Sequence, residues 1–252
     1  MGIICKSRRE IDLIREAGRV VGTVLVEIEK IVAPGVTTGE LRDVADEVIR
    51  SNEGSPVFQQ EAGFPASICT SINEQIVHGV PGKTRLKEGD IVSVDVGVRK
   101  RGYIGDSART FPVGEISEED ARLLEVTKEC LDRAIDVARP GADLSEIGRV
   151  VQGHAESNGY SVVREFVGHG VGEKLHEAPQ VPNFVGFGGA RPGTVLRPGM
   201  VIAVEPMVNV GTHKVKKLAD GWTVITRDRK RSAHFEHTIA IVDGGVEIMT
   251  LP

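Results

Sequence analysis

The sequence predicts an internally duplicated α+β fold, with helices covering one face of a mostly antiparallel sheet. The first observation is that a pair of amphipathic helical segments followed by strand-like runs occurs twice along the 252 residues. The second is that the two halves align. Pro140-Gly141 follows Pro34-Gly35 by 106 residues, and Gly199–Glu205 follows Gly89–Asp95 by 110. Because two copies are too few for a repeat array, we expect one compact domain.

Composition and continuity also favour a single domain. Hydrophobic residues make up 40% of the chain and charged residues 27%, which is typical of a folded globular protein. Because no low-complexity linker divides the sequence, we expect one domain over residues 1–252, with pseudo-symmetric halves at about 6–112 and 117–248.

The first half should begin with two helices. The capping boxes Ser7–Glu10 and Thr37–Glu40 each precede apolar residues at helical spacing. Pro34-Gly35 should end the first helix and Asn52 the second, because each interrupts the apolar pattern.

A half-buried strand is predicted over residues 91–98, with alternate valines on one face and Asp95 on the far face. Arg99–Gly102 should form a hairpin tip, and pairing about residues 100 and 101 would set Asp95 opposite Asp106. Because like charges directly opposed destabilise a sheet, a positive group must compensate. A metal ion does so more fully than a lysine.

The second half repeats this order with acids of its own. Ser117–Asp120 should start a helix that ends at Pro140-Gly141, and a fourth helix should follow. Glu205 matches Asp95, so these two acids should face each other across the pseudo-symmetry axis, although one acid at a strand end is usually a solvated rim residue. Alternation after Glu236 predicts a further strand.

Charge, hydropathy and cysteines exclude several classes of protein. The chain has 31 Lys and Arg against 36 Asp and Glu, a net charge of -5, so we expect no binding to DNA. No apolar run approaches the roughly 20 residues that cross a bilayer, so we expect no membrane partner. Cys5, Cys69 and Cys130 are odd in number and far apart. Reduced thiols and the lack of a signal-peptide core predict a cytoplasmic protein.

Two histidine segments carry no common motif. Gly168–Gly172 surrounds His169 with glycines but lacks the spacing of the dinucleotide fingerprint. His176 does not start a His-Glu-x-x-His motif, because residue 180 is Gln180. A lone histidine is more often structural than functional, so these segments alone do not assign a role.

Taken together, these motifs resemble those of type I methionine aminopeptidases, metal hydrolases of the pita-bread fold. The resemblance covers nearly the whole chain and is most specific at residues 71–74, 77–81, 92–97, 105–106, 168–172, 205–208 and 235–238. It implies helices packed on a curved, mostly antiparallel sheet.

The resemblance also implies two divalent metal ions. Their ligands would be Asp95, Asp106, His169, Glu205 and Glu236, with Asp106 and Glu236 bridging. Four carboxylates would balance the charge of two divalent ions. Oxygen-rich ligation with one imidazole suits Co, Mn, Fe or Zn. In the family, a hydroxide bound between the ions attacks the scissile carbonyl, and Glu205 would shuttle the proton.

Substrate-binding residues follow from the same resemblance. His78 and His176 would contact the substrate and stabilise the tetrahedral intermediate. A methionine pocket would be walled by Phe64, Cys69 and Trp222. Plain core packing is an equal alternative for the first two of these. Three positions differ from the Cys, Tyr and Phe common in bacterial relatives: Phe58, Glu61 and Leu175.

We therefore expect a monomeric aminopeptidase that removes the initiator methionine from nascent proteins when the second residue is small. One rival is an X-Pro aminopeptidase of the same fold, which usually carries an extra amino-terminal domain, whereas 94 residues precede Asp95. The other is a non-catalytic pita-bread binding protein, which would have discarded ligands. The basic clusters 99–101, 214–217 and 227–231 are expected to be a solvated surface, with transient ribosome contact as the alternative.

Overall fold

The computed structural model describes residues 2–186 and 193–252 and has an α+β fold. Its α-helices are α1 (Arg8–Ile31), α2 (Thr38–Ser51), α3 (Glu118–Val137) and α4 (Ser145–Ser157). Both predicted capping boxes are present, because Ser7 and Thr37 each exchange hydrogen bonds with the glutamate three residues later. The two predicted helix pairs are confirmed. Within the described residues, no helix is long and apolar enough to cross a membrane.

All strand pairings in the described residues are antiparallel. In chain order the strands are β1 (Ser55–Pro56), β2 (Ile68–Ile72), β3 (Gln75–Val77), β4 (Ile91–Lys100), β5 (Tyr103–Pro112), β6 (Ser161–Val162), β7 (Gly168–Gly170), β8 (Glu177–Val181), β9 (Val201–Val204), β10 (Met207–Asn209), β11 (Val215–Lys217), β12 (Val224–Thr226), β13 (Ser232–His234), β14 (His237–Val242) and β15 (Gly245–Ile248). One sheet joins β1, β2, β4 and β5, and another joins β7, β8, β9, β14 and β15. Two smaller sheets join β3 with β11 and β12, and β6 with β10 and β13.

The β4–β5 hairpin differs from its predicted register by two residues. Lys100 pairs with Tyr103, so the turn consists of Arg101 and Gly102, which have φ values of 51° and 89°. Two positive φ values are typical of the two-residue turns that match strand twist. Asp95 consequently lies opposite Ala108 rather than opposite Asp106. The two acids are diagonal neighbours instead of a direct pair.

Strand β4 is also buried on both faces, so the predicted half-buried strand is wrong. Ser93 is 2% exposed on the face that was expected to be open. On the same face, Gly97 packs so closely against Val57 and Phe58 that a Cβ atom would come within 2.6 Å of the valine. Residues from the second half of the chain, including β13, also pack against β4. Period-two alternation within the strand cannot predict burial by a distant part of the chain.

The internal duplication is visible in the backbone. Thr37 forms an isolated bridge with Arg85, and Asp143 forms the same bridge with Val195, at the offsets of 106 and 110 found in the sequence. A hairpin also recurs, because β9 and β10 pair with β14 and β13 much as β4 pairs with β5. The second hairpin is interrupted around residues 205–206 and 235–236.

Each half buries its helices against its own hairpin. In the first half, α1 and α2 pack on the valine face of β4. In the second half, α3 and α4 pack on β9 and β14. Because the helices occupy these outer faces, polar side chains of the two hairpins are left to meet on the opposite side.

Candidate metal centre

One cavity of about 190 Å³ collects all the residues proposed from the sequence. Its lining includes Phe64, Cys69, His78, Asp95, Asp106, His169, His176, Glu205, Trp222 and Glu236. A larger groove of about 460 Å³ lies between α1 and α3, and of these ten residues only Glu236 reaches it. The smaller cavity is therefore the candidate site.

Asp106 is fixed by a hydroxyl that connects the two halves. Its backbone N–H donates to Thr238 Oγ1 at 3.1 Å, and the Thr238 hydroxyl donates back to the Asp106 carbonyl at 2.7 Å. Strand β5 of the first half is thereby held to β14 of the second. This contact brings an acid of one hairpin next to the acids of the other.

His169 reaches the cavity because the glycines beside it allow close backbone approach. A Cβ atom at Gly168 would lie 2.3 Å from the Ala203 carbonyl oxygen, and one at Gly170 would lie 2.4 Å from that of Ala178. The His169 Nδ1–H donates to the Gly170 carbonyl at 3.0 Å, since a carbonyl can only accept. In the neutral ring, this bond leaves the lone pair on Nε2, where it is available to a ligand.

The acids converge on that Nε2 atom. It lies 3.7 Å from Asp106 Oδ2 and 3.5 Å from Glu205 Oε1. Ligand atoms of Asp106, His169 and Glu236 all lie within 4.8 Å of one another. Glu236 is placed by its backbone N–H, which donates to the Ala108 carbonyl at 2.8 Å.

Burial makes this cluster unfavourable without a compensating cation. It raises the pKa of Asp95 to about 7. The pKa values of Asp106, Glu205 and Glu236 are raised well above their ordinary range. Burial is the larger cause, and repulsion from neighbouring carboxylates is the smaller one. Burial also lowers the pKa of His169 to about 4, so its imidazole is neutral and can act as a ligand.

Unsatisfied oxygen atoms point to the same need. Oδ1 of Asp95, Oδ1 of Asp106 and Oε1 of Glu236 are buried and have no hydrogen-bond partner in the part of the chain that is described. No lysine or arginine is among the described residues that line the cavity. Uncompensated buried oxygens next to a neutral imidazole fit a divalent cation. The cluster is compatible with a metal site.

The stability of the metal-free protein should fall as the pH rises above about 6.5. Acids with raised pKa values stay protonated in the folded state but ionise on unfolding, so this stability is lost as pH rises. One pKa unit corresponds to about 1.4 kcal/mol. Below pH 6.5 the buried histidines oppose this slope, because burial lowers their pKa values. Urea unfolding at several pH values tests this, and a rise in stability above pH 7 would contradict it.

Two histidines flank the cluster. The His176 ring lies 4.4 Å from the His169 ring, centroid to centroid. Its neighbour Glu177 pairs with the buried Lys6 at 2.5 Å, which anchors this loop. His78 adopts a left-handed φ of 60° and packs edge-on against Phe166 at 5.5 Å.

Both flanking histidines are neutral. Burial lowers the pKa of His176, and burial together with the charge of Lys217 lowers the pKa of His78 to about 4. Each neutral ring carries one N–H that can donate to a substrate.

The apolar end of the cavity contains the predicted pocket residues. Phe64 and Trp222 meet edge to face, with ring centroids 5.3 Å apart. The Cys69 thiol is buried, and burial next to Asp95 raises its pKa. The thiol therefore stays protonated and forms a small apolar part of the pocket wall. Phe58 and Leu175 line the cavity. Glu61 is not in the lining, but its carboxylate accepts a hydrogen bond of 2.7 Å from the Leu175 N–H.

Several residues of this region were missed by the sequence analysis. Phe166 and Val167 line the cavity. His234 is 2% exposed, and its Nε2 lies 3.8 Å from Glu236 Oε2. Residues 235 and 236 interrupt the strand after His234, so strand alternation gave no signal that the side chains of His234 and Glu236 would meet.

Comparisons with known proteins agree on one family and one fold. The model of metallopeptidase family M24 matches residues 12–243. Methionine aminopeptidase 1 of Bacillus subtilis is 51% identical over 98% of this chain and 99% of its own length. Methionine aminopeptidase of Clostridium perfringens is 50% identical over 99% of each chain.

Solved structures extend this similarity to the fold. The methionine aminopeptidase structure from Thermotoga maritima superposes with a TM-score of 0.95 at 43% identity, over 100% of both chains. The prolidase structure from Pyrococcus furiosus superposes with a TM-score of 0.78 at 24% identity, over 99% of this chain and 66% of its own. The latter shows the shared fold alone. These matches confirm the predicted pita-bread fold.

Proposed function

We propose that this chain, which belongs to metallopeptidase family M24, is a metal-dependent aminopeptidase that removes the initiator methionine from nascent proteins when the second residue is small. The observation that carries this conclusion is the buried carboxylate and imidazole cluster beside an apolar pocket in one cavity. Residues 1–252 would act as one catalytic domain.

Two divalent ions, of Co, Mn, Fe or Zn, would be held by five side chains. These are Asp95, Asp106, His169, Glu205 and Glu236, with Asp106 and Glu236 bridging. The unpartnered oxygens of three of these acids support the assignment. Four ionised carboxylates and two divalent ions leave the buried cluster nearly neutral. When bound, the ions lower the pKa of water towards neutrality and polarise the scissile carbonyl.

Glu205 would accept the proton of the attacking water and deliver it to the leaving amine. Its side chain is 13% exposed, so it is reachable from the cavity. Burial and the nearby Asp106 raise its pKa, which brings it towards the range in which an acid can both accept and donate. The neutral rings of His78 and His176 would donate N–H bonds to the substrate and to the oxygen that becomes negative.

The pocket would select the first residue of the substrate. Phe64, Cys69 and Trp222 provide apolar and aromatic contacts that suit an unbranched thioether. A cavity of about 190 Å³ leaves little room for a second large side chain. This size supports a requirement for Gly, Ala or Ser after the methionine.

The comparisons favour this activity over the X-Pro alternative. The methionine aminopeptidases match from end to end, whereas the prolidase is matched over 66% of its length. A non-catalytic binding protein would not need the buried acids, which are unfavourable without a cation.

Peptide hydrolysis tests the proposed specificity. With the same metal present, Met-Gly-Met should be cleaved at least about 10²-fold faster than Met-Lys-Met, because a side chain that does not fit displaces the scissile carbonyl, and about 1 Å of displacement has that effect. Preference for Ala-Pro-Met would support the X-Pro activity. No cleavage of any peptide across several metals would support the binding protein.

We also propose that the protein acts as a monomer in the cytoplasm, on chains that emerge from the ribosome. Its three cysteines are unpaired, which suits a reducing compartment. Trp222 of the cavity lies on the connection between β11 and β12, and Lys214–Lys217 lie at the start of this hairpin. A transient contact of these cations with ribosomal RNA would place the cavity near new amino termini.

A further inference from the structure

His234 is a buried polar side chain that the proposed mechanism does not use. It is 2% exposed, and its Nε2 has no hydrogen-bond partner among the residues that the structure describes. Oε2 of Glu236 lies 3.8 Å from this atom. Buried imidazole nitrogens are normally paired, so this atom calls for an explanation.

The internal duplication relates His234 to Asp106. Gly97 pairs with Asp106 in the first hairpin, and Met207 pairs with His234 in the second. Val94 pairs with Arg109, and Val204 pairs with His237. Met207 and Val204 follow Gly97 and Val94 by 110 residues. Their strand partners, His234 and His237, follow Asp106 and Arg109 by 128 residues. His234 therefore occupies, in the second half, the position that Asp106 occupies in the first.

The same backbone contact holds both positions. The His234 N–H donates to Thr110 Oγ1 at 2.9 Å, and the Thr110 hydroxyl donates to the His234 carbonyl at 2.8 Å. Thr238 makes this pair of bonds with Asp106, and 238 follows 110 by the same 128 residues. The duplicated contact directs both side chains towards the middle of the molecule.

We propose that His234 is a positioning residue of the metal centre: its Nε2, 3.8 Å from Glu236 Oε2 in this structure, is the donor that would close on this oxygen and fix the carboxylate when metal binds. The inference rests on the proposed function. His234 does not line the cavity and is not in the group of ligand atoms within 4.8 Å. Its role is therefore to hold Glu236 in place, and not to bind a metal ion itself. A donor to one oxygen leaves Oε1 free to face a cation.

Metal titration of matched variants tests this role. His234→Leu removes the donor, and His234→Gln keeps an N–H at a similar reach. His237→Gln is the control, because His237 Nδ1 contacts Thr250 Oγ1 at 2.8 Å and is not in the cavity lining. Mn²⁺ affinity of each metal-free protein is measured by calorimetry. We expect a loss of about 10- to 100-fold for the leucine variant, and affinities within a few-fold of the wild type for both glutamine variants.

Two results would overturn the inference. They are wild-type Mn²⁺ affinity in His234→Leu, and an equal loss in His234→Leu and His234→Gln, which would indicate packing alone. If the leucine variant does not fold, His234→Asn replaces it, since its amide is too short to reach Glu236. A wild-type protein that binds no divalent metal would instead contradict the proposed function, so the two failures are distinguishable.

Discussion

Replacing Asp106 by Asn, or Glu236 by Gln, is expected to remove metal and activity together. The loss should exceed the roughly 10- to 100-fold that changes outside the ligand set cause, because each substitution takes a negative charge from the cluster. The same variants should stabilise the metal-free protein at pH 8, since burial and repulsion raise the pKa values of both acids. Metal content by mass spectrometry, kcat/KM and thermal unfolding measure the three effects.

Asp120→Asn is the matched control for these variants. Asp120 is also a buried acid, but it pairs with Arg231 at 2.9 Å and lies outside the cavity lining. We expect its substitution to destabilise the fold while leaving metal content unchanged. Wild-type metal stoichiometry and turnover in both Asp106→Asn and Glu236→Gln would mean that neither acid is a ligand.

Replacing His176 by Ala should lower kcat by about 10²- to 10³-fold without releasing metal. This is the usual range for the loss of one donor to the transition state. His154→Ala is a suitable control, because that histidine pairs with Glu129 at 2.6 Å, on helices α3 and α4. Metal content that collapses in His176→Ala would identify His176 as a ligand instead of a donor.

The helices could be predicted from the sequence because their signals are local. The capping boxes at Ser7 and Thr37 specify where α1 and α2 begin, and the structure places both there. The hairpin register could not be predicted as well. It depends on which two residues adopt positive φ, and Arg101, a non-glycine residue, is one of them.

The candidate site was predictable in part. Asp95 and Glu205 could be paired from the duplication, but that they share a cavity with His169 depends on contacts between distant strands. The resemblance supplied those residues, and the structure collects them in one cavity. His234 was missed because a lone histidine in a strand carries no local signal, and only the paired registers relate it to Asp106.

The central claim is that this chain uses metal held by the cluster to remove an amino-terminal methionine. The most direct measurement is the hydrolysis of Met-Gly-Met by protein stripped of metal, before and after divalent metal is added back. We expect negligible cleavage by the stripped protein, and recovery of activity in parallel with metal bound, because the attacking water needs the ions. Full activity of thoroughly demetallated protein would contradict the account.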